Sequence, residues 1–228
     1  MAFDFDVGSV ILIDKPYQWT SFDVVNKVRC LIKHHKHIKK IKIGHAGTLD
    51  PLATGLLILC TGSYTKKIDE YQGMEKEYTG TFVLGATRPS YDKETEIDKT
   101  FEISTITEDQ IYQVAKTFVG HSNQVPPQYS AKKINGERAY ESARKGVNLK
   151  IEPKPIFIRE FEITKIELPF VYFRTLCSKG TYIRSLANDF GIKLQNGAYL
   201  DTLRRTSIGN YHVNDAFSME TIEKLIAQ

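Results

Sequence analysis

Cysteine is scarce in this sequence: Cys30, Cys60 and Cys177 are odd in number, far apart and set among apolar residues. They cannot build a disulfide framework, and no clustered carboxylates or histidines complete a zinc shell around them. They read as reduced core thiols of a cytosolic protein. No apolar run approaches the ~20 residues that a membrane-spanning helix needs. The N-terminus carries Asp4 and Asp6 where a secretory signal would be basic. These absences predict a soluble, cytoplasmic chain. Internal repeats, low-complexity segments, a P-loop and a dinucleotide fingerprint are also missing, which removes the motif-bearing nucleotide enzymes from consideration.

Acidic residues are absent from one long interval. Between Asp23 and Asp50 there is none, whereas Lys27, Arg29, Lys33, Lys36, Lys39, Lys40 and Lys42 all fall there, with His34, His35 and His37 among them. The overall balance is mild, 31 Lys plus Arg against 27 Asp plus Glu, so this local field says more than the net charge of +4. It reads either as a solvated helix end and loop or as a patch that contacts phosphates. A metal site at the three histidines finds no support in ligand spacing, and the metal prediction is none. With 228 residues and 41% hydrophobic content, the chain can form one large domain that buries roughly 70% of its unfolded surface.

What is present centres on residues 44–55, G-H-A-G-T-L-D-P-L-A-T-G, which run into the apolar segment 56–60. Three glycines and Pro51 exclude a helix interior, and Pro51 pushes Asp50 toward extended backbone. The stretch is therefore a shaped loop feeding a buried strand. Asp50, its only acid, is either a turn residue or a carboxylate held on a rigid support as a nucleophile or base, with His45 and Thr48 beside it.

Around this loop the pattern is mixed α and β. Residues 7–13 read as a buried strand stopped at Pro16, and 21–33 as a helix capped by Thr20 or Ser21, with Phe22, Val25, Val28, Arg29 and Ile32 near one face. Residues 65–72 suggest a short helix, 76–85 a strand carrying Tyr78, and 107–118 a helix capped by Thr107. Residues 124–146 interleave two prolines and two tyrosines with Lys132, Lys133, Arg138, Arg144 and Lys145. Alone they describe a surface excursion with a short helix at 137–144, of a composition that also suits stacking and phosphate contact with unpaired nucleotides. Strands at 156–166 and 171–177 follow, then a Gly turn and a helix whose apolar face is Ile183, Leu186, Ala187 and Phe190, leaving Tyr182 and Arg184 directed elsewhere. Residues 199–206 and 207–213 read as two strands bent near Gly209, and 220–227 as a closing helix. The sum is an α+β fold with a central mixed, mostly antiparallel sheet flanked by helices.

Five segments, in order, resemble one family: D-K-P-Y-Q-W-T-S-F-D at 14–23, the loop at 44–55, K-E-Y at 76–78, K-G-T-Y-I-R-S-L-A at 179–187 and L-R-R-T at 203–206. They closely resemble the motifs of the TruB-type tRNA pseudouridine synthases, over nearly the whole chain. The resemblance implies the pseudouridine synthase fold, an active-site cleft across the sheet, and isomerisation of uridine 55 in the tRNA T-loop to pseudouridine. No cofactor is implied, because the reaction needs no redox change or external group. Asp50 would perform the chemistry, attacking C6 of the base or C1′ of the ribose or assisting a glycal route. Arg184 would pair with it, since a guanidinium beside a carboxylate favours the charged form and aims it. Tyr78 would lie on the uracil, Leu203 would wall the pocket, and His45, Lys15 and Tyr182 would contact substrate or brace the loop. Residues 124–151 resemble the family's thumb, in which Lys132 and Arg144 would meet RNA phosphates. Arg88 and Pro89 stand where the family usually has Thr and Asp, although Asp92 fits. The sequence ends where family members often continue into a PUA domain, so the expectation is a single catalytic domain over 1–228, monomeric, with tRNA as partner. The alternative is a tRNA-binding folding chaperone with secondary catalysis.

Overall fold

The computed structural model of the chain describes all residues except Met1, Ala2, Asp6, Lys39, Ala131, Lys132, Asn135, Gly136, Lys145 and Asn148; of Lys133, Ile134, Glu137, Arg138 and Ala143 it describes the backbone. In chain order the elements are β1 (Val10–Lys15), α1 (Ser21–His35), β2 (Ile43–His45), β3 (Ala53–Thr61), a 3-10 segment over Gly62–Lys67, α2 (Ile68–Gly73), β4 (Lys76–Leu84), β5 (Ala86–Thr87), β6 (Lys99–Thr100), α3 (Glu108–Lys116) and β7 (Gly120–Gln124). Then come β8 (Lys133–Ile134), β9 (Glu137–Arg138), α4 (Ala139–Arg144), β10 (Lys154–Glu167), β11 (Phe170–Cys177), α5 (Ile183–Lys193), β12 (Ala198–Ile208), β13 (Tyr211–His212) and α6 (Met219–Ala227). They fall into two compact units, residues 1–79 with 203–228 and residues 80–202.

In the first unit β3 is the organising strand. It pairs antiparallel with β1 and β2 and parallel with the part of β12 from Leu203 onward. Side chains alternate across a strand, so Leu57 and Leu59 face one way, with Ile11, Ile13, α1 and α6, while Leu56, Ile58 and Cys60 face the other, with Tyr71 and Ile208. Both faces are covered, which is why the sequence there is a continuous apolar run and not an alternation. Helix α1 begins with a capping box: Thr20 Oγ1 accepts from the Asp23 N–H at 3.0 Å, and Asp23 returns a bond to the Thr20 N–H at 2.8 Å. Its core face is Val24, Val25, Val28, Leu31 and Ile32, whereas Phe22 and Cys30 are exposed. Phe22 sits in the first turn just off the apolar stripe, and Cys30 lies on the opposite face to Val28 and Ile32. The expectation that all three cysteines are core residues therefore fails for Cys30.

The second unit is mostly antiparallel sheet, in the order β4, β11, β10, β7. Its core is aromatic. Phe82 stacks on Phe173 at 4.2 Å between centroids, and Phe118, Phe161 and Phe190 complete the cluster. Helix α5 contributes Ile183, Leu186, Ala187 and Phe190 to the interior, as its period predicts. Helix α3 opens with a second capping box, Thr107 with Gln110. Here β10 pairs antiparallel with both β11 and β7, whereas the first unit has the parallel pairing of β3 with β12, in agreement with the α+β expectation.

Candidate active site

Asp50 lies in the turn that joins β2 to β3. Its carbonyl accepts from the Ala53 N–H at 3.1 Å, and the Pro51 carbonyl accepts from the Gln18 N–H at 2.8 Å, so the two peptides that follow the acid are engaged. Gly55, the last glycine of the motif, has φ +106°, and a Cβ there would lie 2.3 Å from the Arg205 carbonyl. Only glycine permits that approach, which seats β3 against β12 with Gly55 opposite Arg205.

Two buried cations hold the loop from within the unit. Arg205 is 1% exposed. Its Nε donates to Leu56 O at 2.7 Å, Nη2 to Gly47 O at 3.0 Å and Nη1 to Thr48 O at 3.5 Å, so one guanidinium ties the loop ahead of Asp50 to the strand behind it. Lys15 is fully buried at the end of β1 and donates from Nζ to Trp19 O at 2.6 Å and Pro16 O at 3.0 Å, with Pro51 O at 3.5 Å. Burial pushes the Lys15 ammonium down to about 8, with Asp50 raising it and Arg205 lowering it. Ser21, at the start of α1, closes the third side: its Oγ accepts from the Leu49 N–H at 2.8 Å and donates to Leu49 O at 3.2 Å. His45 is held below the ordinary imidazole range, first by burial and then by the nearby Arg205 charge, which leaves a neutral ring at pH 7.

Lys15, Asp50, His45 and the half-buried Leu203, opposite Ala53 in the parallel pair, thus belong to one neighbourhood of the first unit. Leu203 stays partly exposed because it flanks the loop and not the sheet interior. Tyr78 is buried on β4, two residues after Lys76, whose Nζ donates to the carbonyls of Gln72 and Met74 at 2.6 Å each and so finishes α2. Sequence reasoning missed Arg205 and Ser21. A signal for the arginine existed: Arg204 and Arg205 are consecutive on a strand, so they face opposite sides and one must point inward. Arg204 takes the solvent side and pairs bidentately with Asp14 at 2.7 and 3.0 Å.

In the second unit Arg184 is 4% exposed on the first turn of α5. Nη1 donates to Tyr129 O at 2.8 Å and lies 3.4 Å from Ser90 O, and Nε stands 3.6 Å from the buried Asp92 carboxylate. The loop that departs from the family pattern at Arg88 and Pro89 therefore supplies a counter-ion through Asp92, a role the sequence alone did not reveal. Tyr182, partly exposed, is the N-cap of α5. Arg144 is exposed at the end of α4, pairs with Glu94 at 2.7 Å and lies 5.3 Å from the Tyr140 ring centroid. Lys132 lies outside the described residues. Of the basic interval, Lys33, Lys36, Lys40 and Lys42 are exposed, together with His34, His35 and His37, while Lys27 pairs with Glu223 at 3.1 Å.

A carboxylate whose loop is pinned by main-chain bonds to two cations and a serine can act as a nucleophile or base without reorganising. Comparison with known proteins gives the family. Residues 33–183 match the TruB family pseudouridylate synthase (N terminal domain), and residues 184–228 match the tRNA pseudouridylate synthase B C-terminal domain. The chain belongs to the TruB family of pseudouridylate synthases. Its TruB-family relatives include tRNA pseudouridine synthase B of Flavobacterium johnsoniae, 56% identical over 218 residues that cover 95% of each chain. The protein of the same name from Parabacteroides distasonis is 48% identical over 225 residues, 99% of this chain and 96% of that one. Among solved structures, a chain from a Cbf5-Nop10-Gar1 complex superposes with a TM-score of 0.72 at 26% identity; the match covers 96% of this chain and 54% of that one, so this chain spans about half its length. The fold is that of the pseudouridine synthases, as the TruB-like motifs led us to expect.

Proposed function

We propose that this protein isomerises uridine 55 in the T-loop of tRNA to pseudouridine, with Asp50 as the reacting carboxylate. The observation that carries this reading is the seating of Asp50 in a family motif whose backbone is fastened by Arg205, Lys15 and Ser21. The N1–C1′ bond breaks, the uracil turns, and C5 bonds to C1′; C5 then loses its proton and N1 gains one, so the product is an isomer of the substrate. The target base leaves its stack to enter the pocket, at a cost of a few kcal/mol.

Asp50 attacks C6 or C1′, or takes a proton on a glycal route. Arg184 orients it and balances its charge; Tyr78 packs on the uracil and assists loss of the C5 proton. Neutral His45, Tyr182 and Leu203 contact the base or its neighbours, and Lys15 braces the loop. Lys132, Arg144 and the exposed lysines of residues 33–42 hold phosphates, contacts that set affinity and register more than chemistry. The enzyme works as a single catalytic domain over 1–228, with residues 124–151 as its RNA-gripping insertion, and as a monomer in the cytoplasm.

The test is incubation of the purified protein with an unmodified tRNA transcript, without cofactor or metal, followed by carbodiimide mapping of pseudouridine by primer-extension stops. Wild type should give one stop, at position 55, and Asp50→Asn should give none while binding the transcript at fixed salt. A stop elsewhere overturns the assigned uridine. Binding without any stop turns the reading toward a tRNA-folding chaperone.

A further inference from the structure

Helix α5 carries Arg184 but starts without a side-chain cap of its own, because its N-cap residue is Tyr182. A helix start of this kind needs partners from outside. They come from residues 124–130, the strap that leaves β7. Tyr182 is extended, with φ −95° and ψ 110°, so its N–H and C=O point to the same side, as in a strand. The carboxamide of Gln124, 4% exposed, meets both: Oε1 accepts from Tyr182 N–H at 2.8 Å, and Nε2 donates to Tyr182 O at 3.0 Å. Asparagine and glutamine alone carry an adjacent amide donor and acceptor that match a peptide edge in this way. The Tyr182 carbonyl also accepts the first helical bond, from Leu186 N–H at 3.0 Å, so the clamp and the helix share one atom. Further along, Ser185 Oγ donates to Val125 O at 2.7 Å, and Arg184 Nη1 donates to Tyr129 O at 2.8 Å.

Four bonds thus tie one strap to Tyr182, Arg184 and Ser185, the arginine and residues within two positions of it. We propose that Gln124 is a positioning residue for the reaction, fixing the first turn of α5 and through it the guanidinium of Arg184. The inference rests on the role given to Arg184 under the proposed function. Gln124 itself lies on backbone and need not touch RNA. Its loss lets the helix start drift, and displacements of about 1 Å at a reacting group can cost on the order of a hundredfold in rate.

The experiment compares single-turnover pseudouridine formation and tRNA affinity for wild type, Gln124→Ala, Arg184→Lys and the double variant, using an unmodified tRNA transcript, with thermal unfolding as the check on folding. Asn123→Ala, exposed on the same strand, is the control and should match wild type. The expected result is a rate lowered roughly ten- to a hundredfold in Gln124→Ala, a Kd within about twofold, and a double variant no slower than Arg184→Lys, as for two residues acting as one unit. Wild-type rate in a folded Gln124→Ala, with Arg184→Lys slow, overturns the proposal and leaves the arginine's role standing. Multiplying rate losses, or an affinity loss that parallels the rate loss, also overturn it. Full activity in Arg184→Lys overturns the arginine's role and the proposal together. Where Gln124→Ala does not fold, Gln124→Glu, which keeps the acceptor and loses the donor, and Ser185→Ala carry the same test with smaller expected losses.

Discussion

The loop of Asp50 and the excursion at 124–151 are both irregular, rich in glycine or proline and central to the proposed reaction, yet they are held in opposite ways. The Asp50 loop rests on bonds from Arg205, Lys15 and Ser21, all buried. Beyond its strap, the described part of the excursion consists of two-residue strands and a six-residue helix, with Arg144 secured by an exposed ion pair to Glu94. The contrast suits the proposed reaction, in which the acid must not move, whereas a surface proposed to grip RNA can use solvated charge. Pinning by main-chain bonds in a low-dielectric interior is strong because a carbonyl left without its donor is costly there. An exposed ion pair contributes little, since water screens it.

Breaking the Asp50 side of this comparison should have the largest effect. Arg205→Met leaves the carbonyls of Leu56, Gly47 and Thr48 without their donor, and at about 1 to 3 kcal/mol for each unsatisfied buried group it should cost several kcal/mol in urea unfolding and remove turnover. A folded variant of wild-type stability would sink the claim that Arg205 pins the loop.

Lys15 sharpens the comparison through pH. Its ammonium titrates near 8 in the fold, against about 10.4 in an unfolded chain. Between those values the unfolded chain binds more protons, so the Lys15 contribution to stability rises with pH across that window, by roughly 3 kcal/mol in all, and is flat below it. The difference in unfolding free energy between wild type and Lys15→Met, followed from pH 7 to 10.5, should show that rise; a constant difference would contradict it.

Ser21→Ala deletes both bonds to Leu49. It should cost about 1 to 2 kcal/mol and slow the single-turnover rate with little change in tRNA affinity. Smallest in stability is Arg144→Ala, which should alter the unfolding free energy by no more than about 0.5 kcal/mol. Its effect appears in RNA binding: weaker affinity, with the slope of log K against log salt reduced by about one. If Arg144→Ala destabilised the fold as strongly as Ser21→Ala, the contrast between the two regions would collapse.

Much of this molecule could be read from its residues. The helix caps, of which Thr20 and not Ser21 takes the first and Thr107 the second, the run 56–60, the alternation in β10 and β11 and the bend at Gly209 are local signals that the structure follows. Boundaries shifted modestly: β1 begins at Val10 and runs through Lys15, while the short helix before β4 is preceded by a 3-10 segment. The motif around Asp50 announced the family for a local reason as well, because its glycines and proline define one loop shape. Less legible were the partners. Nothing periodic marks Ser21 for Leu49, Asp92 for Arg184 or Gln124 for Tyr182, since each joins a side chain to a group 28, 92 or 58 positions away.

Propensity, capping and loop chemistry act over a few residues and are written where they act, so the elements, the shape of the Asp50 loop and the family were legible in the residues alone. Tertiary structure alone decided which of the paired arginines turned inward to Gly47, which aspartate came to face Arg184, and that Leu203 and Cys30 stayed in part or wholly at the surface. Those outcomes depend on which strands become neighbours and on which buried carbonyls then need a donor, a requirement that exists only once the chain has folded.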